Sequence, residues 1–219
     1  MTTNVLSDTI SVDIKRSKKM PTKIRISKDM ILDAAFEIVR ASGMEKLSNR
    51  ELANTLNCSI RPIYYQFENA EEMHKELYGK IEKFFYDFLL NNMEEDVPAY
   101  KQAGIHYIKF AEKEKNLFKI LFMTETELTP DTFVSKSETG YKELEKLIRL
   151  STKLSDEDLK GFHTKMWIFC HGIATLVANG TVKLTDQQIK DLLTVEFRAL
   201  MMLEESSDKI GTVKKEGNK

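Results

Sequence analysis

The stretch SNRELANTLNCSIRPIYYQF, residues 48–67, leaves the rest of the chain few folds to choose from. It reads as two short helices across a tight turn. Ser48 is a natural N-cap, and Glu51 three residues later completes a capping box in which hydroxyl and carboxylate each satisfy an orphaned backbone N–H. Leu52, Ala53 and Leu56 form a narrow apolar stripe, with the small Ala53 where another helix can approach. Asn57 ends the first helix because, after glycine, asparagine best accepts a left-handed backbone. Ser59 is expected to cap a second helix with Pro62 in its first turn, where a missing N–H does no harm. Ile63 and Phe67 face inward at i and i+4. A two-helix unit this small cannot bury both faces alone, so the flanking segments must brace it.

The second helix leaves Ile60, Arg61, Tyr64, Tyr65 and Gln66 to be divided between a shared core and the outside. A short helix presenting guanidinium, aromatic and amide groups suits a DNA major groove. Residues 31–73, ILDAAFEIVRASGMEKLSNRELANTLNCSIRPIYYQFENAEEM, resemble the N-terminal domain of tetracycline-repressor (TetR) type transcriptional regulators. The resemblance lies in an ordered series: the helix ending at Gly43, the Ser48 start, Leu52-Ala53, Tyr64, Phe67, and the Glu71-Glu72-Met73 opening of the next helix. Three positions depart from the family pattern. Asn57 replaces the usual turn glycine, Arg61-Pro62 replaces a Gly-Thr pair, and Ala70 replaces a lysine that contacts phosphate.

The resemblance implies an all-α protein with a three-helix helix-turn-helix head and a helical regulatory and dimerisation domain. It further implies a regulator, most simply a dimeric repressor that leaves a palindromic operator when a small apolar or amphipathic effector binds. Arg61 and Pro62 would meet base edges. Ser48, Asn49, Arg50, Ser59, Ile60, Tyr64, Tyr65 and Gln66 would reach phosphates or groove walls.

Residues 1–24 read as a polar, basic arm carrying Lys15, Arg16, Lys18, Lys19 and Lys23, ahead of a head domain at 25–85. Overall the 219 residues carry a net charge of −1, so attraction to DNA must come from this local concentration. Residues 86–205 show recurrent caps and apolar stripes at helical spacing without strand alternation, and 206–219 read as a polar, fraying tail. With 42% hydrophobic and 31% charged residues the composition is that of a globular protein. Residues 166–178, the longest apolar region, are interrupted by His171, Gly172 and Thr175, which argues against a membrane span. No apolar leader is legible, and Cys58 and Cys170 read as small core residues; both point to the cytoplasm.

Within the second domain, Tyr107, Phe110, Phe118, Phe122, Tyr141, Met166, Trp167, Phe169 and His171 supply the aromatic and soft surface expected of an apolar pocket. For any single one of them, ordinary core is the better reading, and it is the set that points to a pocket. The segment MWIFCHGIATLVANG resembles the Trp-His-Gly element of one TetR subgroup. Catalysis is not indicated: Cys170 and His171 are adjacent on a helix and diverge by about 100°, and His163 and His171 stand two turns apart without a third metal ligand. No cofactor motif is present.

Overall fold

The computed structural model describes residues 26–124 and 138–216, except that the side-chain surroundings of 138–141, 157 and 205–216 are not included. The basic arm, most of the stretch 128–139, whose proline and Ser/Thr residues read as a loop or broken helix, and the last residues therefore lie outside the described residues. Everything described is helix, turn or connection, in keeping with the all-α expectation.

The head begins with α1, Lys28–Ser42, capped by the Ser27 hydroxyl, which accepts from the Met30 N–H. Gly43 ends it at φ 85°, a conformation that L-residues avoid; an added Cβ would also meet the Glu45 carboxylate at 2.5 Å. After a 3-10 turn, Met44–Lys46, come α2, Asn49–Thr55, and α3, Arg61–Gln66. The long α4, Ala70–Leu90, follows, held at its start by Asn69 accepting from the Glu72 N–H at 2.9 Å. Ile31, Ala35 and Val39 of α1, Leu52 of α2, Ile63 of α3 and Leu77 of α4 close one buried core.

The second domain is built around α5, Ala99–Lys113, which packs against α4 and against three later helices. Those are α7, Glu138–Ser151, α8, Asp156–Ala178, and α9, Asp186–Glu216. The short α6, Lys115–Phe122, turns back beneath α1 and α4. Ser155-Asp158 and Thr185-Gln188, three apart like Ser48-Glu51, read as further cap pairs and form as such: Ser155 accepts from the Asp158 N–H, and Thr185 exchanges hydrogen bonds with Gln188. Gly180 stops α8 in a Schellman turn, its N–H bonding Val177 O while Thr181 N–H bonds Leu176 O. One boundary differs from the sequence reading. The segment read as a fraying tail after Glu204 continues α9 to Glu216, since no proline interrupts it before that point and the one glycine there, Gly211, weakens a helix without ending it.

Ion pairs brace α1 against α4 within the head, and one more ties the head to the body. Lys28 at the start of α1 holds Glu72 at 2.8 Å and Glu76 at 2.5 Å on α4. The Glu72 hydrogen bond, then the Glu76 one, raises the Lys28 pKa, and the same Lys28 bond lowers that of Glu72. Lys80 reaches Asp33 at 2.7 Å. Arg40, one residue-pair from the end of α1, grips Glu114 with two nitrogens, at 2.8 and 2.6 Å, at the junction of α5 and α6. Asn116 adds a bond from its amide to the Arg40 carbonyl at 3.0 Å.

Candidate nucleic-acid interface and effector cavity

The turn between α2 and α3 follows from one left-handed residue. Asn57 takes φ 48°; its N–H bonds Asn54 O, and Cys58 N–H bonds Ala53 O at 2.9 Å, which completes a Schellman motif. Cys58 is thereby half-buried at the turn, as a small residue should be. Ser48 caps α2 by accepting from the Glu51 N–H at 3.1 Å. The reciprocal bond expected from Glu51 is not among those formed, so the box is half-closed.

The recognition helix does not start as its sequence suggested. Ile60, not Ser59, occupies the N-cap, with helical angles φ −66° and ψ −25° and no side-chain cap. The backbone enters the helix one residue later than the Ser59 cap required, and the first bond, Ile63 N–H to Ile60 O, is of the tight i→i+3 kind. Pro62 still falls in the first turn, where it is tolerated.

Once formed, α3 is cleanly two-faced. Ile63 and Phe67 point into the head core. Arg61, Tyr64 and Tyr65 fall at i, i+3 and i+4 and stand out from the molecule, Tyr64 at 66% and Tyr65 at 82% exposure, with Ile60 beside them. Two exposed tyrosines on a six-residue helix give no stability, which makes their exposure informative. Ser48, Arg50 and Ser59 are also exposed on the same motif, and Asn49 and Pro62 are half-buried. Gln66 is different: its amide donates to the Ile26 carbonyl at 3.0 Å, so it fastens the chain entering α1 to α3.

In the second domain a cavity of about 680 Å³ opens between α5, α7, α8 and α9. Three of the residues read from the sequence as pocket-forming line it, Tyr107, Met166 and Trp167. Phe110 and Phe118 do not; both are wholly buried core. Phe110 lies one turn beyond Tyr107 on α5, at the end where Phe84, Phe85 and Phe88 of α4 close over it with ring centroids 5.1 to 6.2 Å away. Phe122 belongs to the same aromatic plug, 5.1 Å from Phe85 and 5.4 Å from Tyr107. His171 backs the wall instead of forming it. It stacks on Trp167 at 4.7 Å and on Phe118 at 5.7 Å, with Nδ1 3.0 Å from the Tyr107 hydroxyl. Phe169 is partly buried against the core, and the side chain of Tyr141 lies outside the described residues.

Sequence reasoning missed Tyr100, His163, Leu193 and Phe197, all in the wall. A signal was present: Tyr100, Ala103-Gly104 and Tyr107 repeat at helical spacing, two tyrosines separated by the smallest residues available. Gly104 lets α9 approach so closely that an added Cβ would meet Leu193 at 3.2 Å. Burial pushes the His163 imidazole down to about 4 and the Cys170 thiol up to about 12, so both are neutral at ordinary pH. Burial also raises Tyr107 well above its ordinary value and lowers His171. The wall is thus uncharged except at its solvent edge, where Lys101 and Arg198 stand. No described helix is long and apolar enough to cross a membrane.

The arrangement is similar to that of several known proteins. Over 83 residues the chain is 25% identical to IcaR of Staphylococcus epidermidis, a helix-turn-helix negative regulator of the biofilm operon icaADBC; the match takes in 38% of this chain and 43% of that protein's length. A TetR-family protein from Vibrio parahaemolyticus superposes with a TM-score of 0.56 at 21% identity, covering 78% of this chain and 96% of that one. A TetR-like transcriptional regulator from Rhodococcus sp. RHA1 gives 0.53 at 17% identity, with 83% and 98% covered. These likenesses establish the fold: a helix-turn-helix head on a helical body. No protein-family model matches the chain.

Proposed function

We propose that the chain is a sequence-specific, DNA-binding transcriptional regulator of the TetR type, acting as a dimeric repressor without catalytic activity. The observation that carries this is α3, whose buried face serves the fold and whose exposed face, Arg61, Tyr64 and Tyr65, makes no hydrogen bond, ion pair or ring contact among the described residues. Arg61 is the residue assigned to base edges, where a guanidinium matches the paired acceptors of guanine. Ser48, Arg50, Ser59 and Tyr64 are assigned to phosphates and sugars, and the basic arm to affinity without base preference. Gln66, already bonded to Ile26, contributes to DNA binding by fixing the angle of α3.

Dimerisation through α8 and α9 is supported by an apolar stripe that these helices leave uncovered. Ile168 and Leu176 on α8, and Leu192, Val195, Met202 and Leu203 on α9, are all exposed. Gly172 lies between Ile168 and Leu176 with open space where a Cβ would be, leaving room for a second helix to approach closely. Trp167 stacked on His171, with Gly172 outward, supports placing the body with the Trp-His-Gly subgroup.

The cavity is the effector site in this reading. Tyr107 touches both the cavity and, edge to face at 5.8 Å, Phe85 of α4, whose N-terminal end is tied to the head by Lys28. A ligand that displaces Tyr107 therefore presses on the helix that carries the reading head. Two recognition helices must sit about 34–36 Å apart to meet successive major grooves, so a small swing of α4 mis-spaces them. A ligand favouring the mis-spaced state tenfold shifts the equilibrium by about 1.4 kcal/mol.

The test is binding to DNA fragments flanking the gene, followed by Arg61→Ala. The substitution is expected to cost about 1–3 kcal/mol on the preferred site and to relax preference at one base pair per half-site. Equal losses on specific and random DNA would remove Arg61 from base readout. Only weak, sequence-blind binding by the unmodified chain would favour a helical interaction protein with a degenerate head.

A further inference from the structure

The cavity is charged at one end only. Its depth is lined by Leu89, Ala103, Tyr107, Met166, Trp167 and Leu193, with Tyr100 and His163 bonded to each other at 3.0 Å. Lys101 and Arg198 stand at the solvent edge, the first half-buried and the second exposed, and no Asp or Glu lines the cavity among the described residues.

Neither of those two cations is held by a carboxylate among the described residues, unlike two other lysines of the body. On the same helix as Lys101, Lys109 is neutralised by Asp186 at 2.6 Å, and on α8 Lys165 is neutralised by Glu204 at 2.8 Å. Lys101 has instead a hydroxyl, donating to Thr194 Oγ1 at 2.6 Å, while Thr194 donates onward to the Lys190 carbonyl at 2.6 Å. That relay aims the ammonium at the cavity edge without cancelling its charge. Arg198 is one turn beyond Thr194 on α9, on the same side, and forms no ion pair among the described residues. An anion entering the cavity is therefore offered two cations that no carboxylate of the lining opposes.

Resting on the reading of this cavity as the effector site, we propose that its ligand class is the monoanionic amphiphile. The apolar body fills the space between α5, α8 and α9, and a carboxylate or comparable single-charge head is held at the mouth by Lys101 and Arg198. An ammonium-headed compound of the same shape is rejected by the same pair. A neutral alcohol gains the hydrophobic contribution but not the charge-assisted bonds. A cavity of this size lies within the range that encloses most of a small organic ligand.

Trp167, the single tryptophan, lies in the wall and reports occupancy. The full chain is titrated with decanoate, decanol and decylamine, below their micelle-forming concentrations, following Trp167 emission and thermal stability together. These probes keep one hydrocarbon body and change only the head. Decanoate is expected to bind about tenfold tighter than decanol, with decylamine weakest. Lys101→Gln and Arg198→Gln should each remove most of the decanoate advantage, leave decanol affinity unchanged, and melt close to the unmodified chain. Decanol binding as well as decanoate, or decanoate affinity insensitive to both substitutions, overturns the anionic head while leaving the cavity a ligand site. If none of the three probes moves Trp167 emission or stability, the effector-site reading itself fails.

Discussion

His163 is a histidine that the fold keeps from doing what histidine usually does near neutrality. It is 4% exposed in the cavity wall beside the Tyr100 hydroxyl, and burial holds its imidazole at about 4 against an ordinary 6.5. Between those two values the unfolded chain binds a proton that the folded chain refuses. Stability is therefore complete above about pH 6.5, falls by about 3 kcal/mol as pH drops toward 4, and levels off below. Half-buried His171 is shifted in the same direction by the same cause and adds to the slope. Urea unfolding across this range should show a clearly shallower acid limb for His163→Gln. An identical limb would place the acid sensitivity elsewhere.

The clasp between Arg40 and Glu114 joins the end of α1 to the break between α5 and α6. Glu114 is only 10% exposed in its side chain, and Arg40 also covers the Phe84 ring at 5.1 Å. Removing the guanidinium strands a shielded carboxylate, so Arg40→Met should cost about 1–3 kcal/mol, the partial exposure of Arg40 keeping the figure low. The pair Arg40→Met with Glu114→Gln should recover part of that loss in a double-mutant cycle. Strictly additive losses would mean that the clasp contributes only as two independent surface groups.

Elements of this kind were partly legible in the sequence, and the division has a physical logic. The Ser48, Asn69, Ser155 and Thr185-Gln188 caps were readable because each is settled within four residues of chain. Ser59 misled because the tight turn at Asn57 and Cys58, not the serine hydroxyl, sets where α3 can begin. The cavity wall was harder. Phe110 has the same chemistry as a wall residue and differs only in lying one turn nearer the head, where α4 closes over it, and Phe118 and Phe122 stand on α6, on the far side of Tyr107. Depth along a helix depends on the partners of that helix, and those are not written in its own period. Lys101 and Arg198 were invisible for a related reason: solvated lysines and arginines abound on helices, and only the fold brings this pair to one cavity.

At the scale of the whole molecule, the proposed dimer rests on one surface. The uncovered stripe along α8 and α9 includes Ile168 at 58% and Val195 at 68% exposure, a row of branched side chains that water solvates poorly. Ile168→Glu with Val195→Glu is expected to leave a folded monomer by sedimentation. It should also lower affinity for a palindromic site by well over tenfold, because each head then binds its half-site alone. A monomer at working concentrations in the unmodified chain, with operator affinity intact, would refute dimeric reading of DNA.

The division of labour on α3 also bears on how such a protein changes over generations. Ile63 and Phe67 are committed to the core and substitutions there are heavily penalised, whereas Arg61, Tyr64 and Tyr65 are surface positions whose replacement alters stability by only about 0.5 kcal/mol. A lineage is then free to sample new side chains on the outer face without losing the fold. On the proposed reading, duplicated copies can drift to separate control sequences while keeping the same cavity, because the outer face of α3 and the cavity wall share no residue.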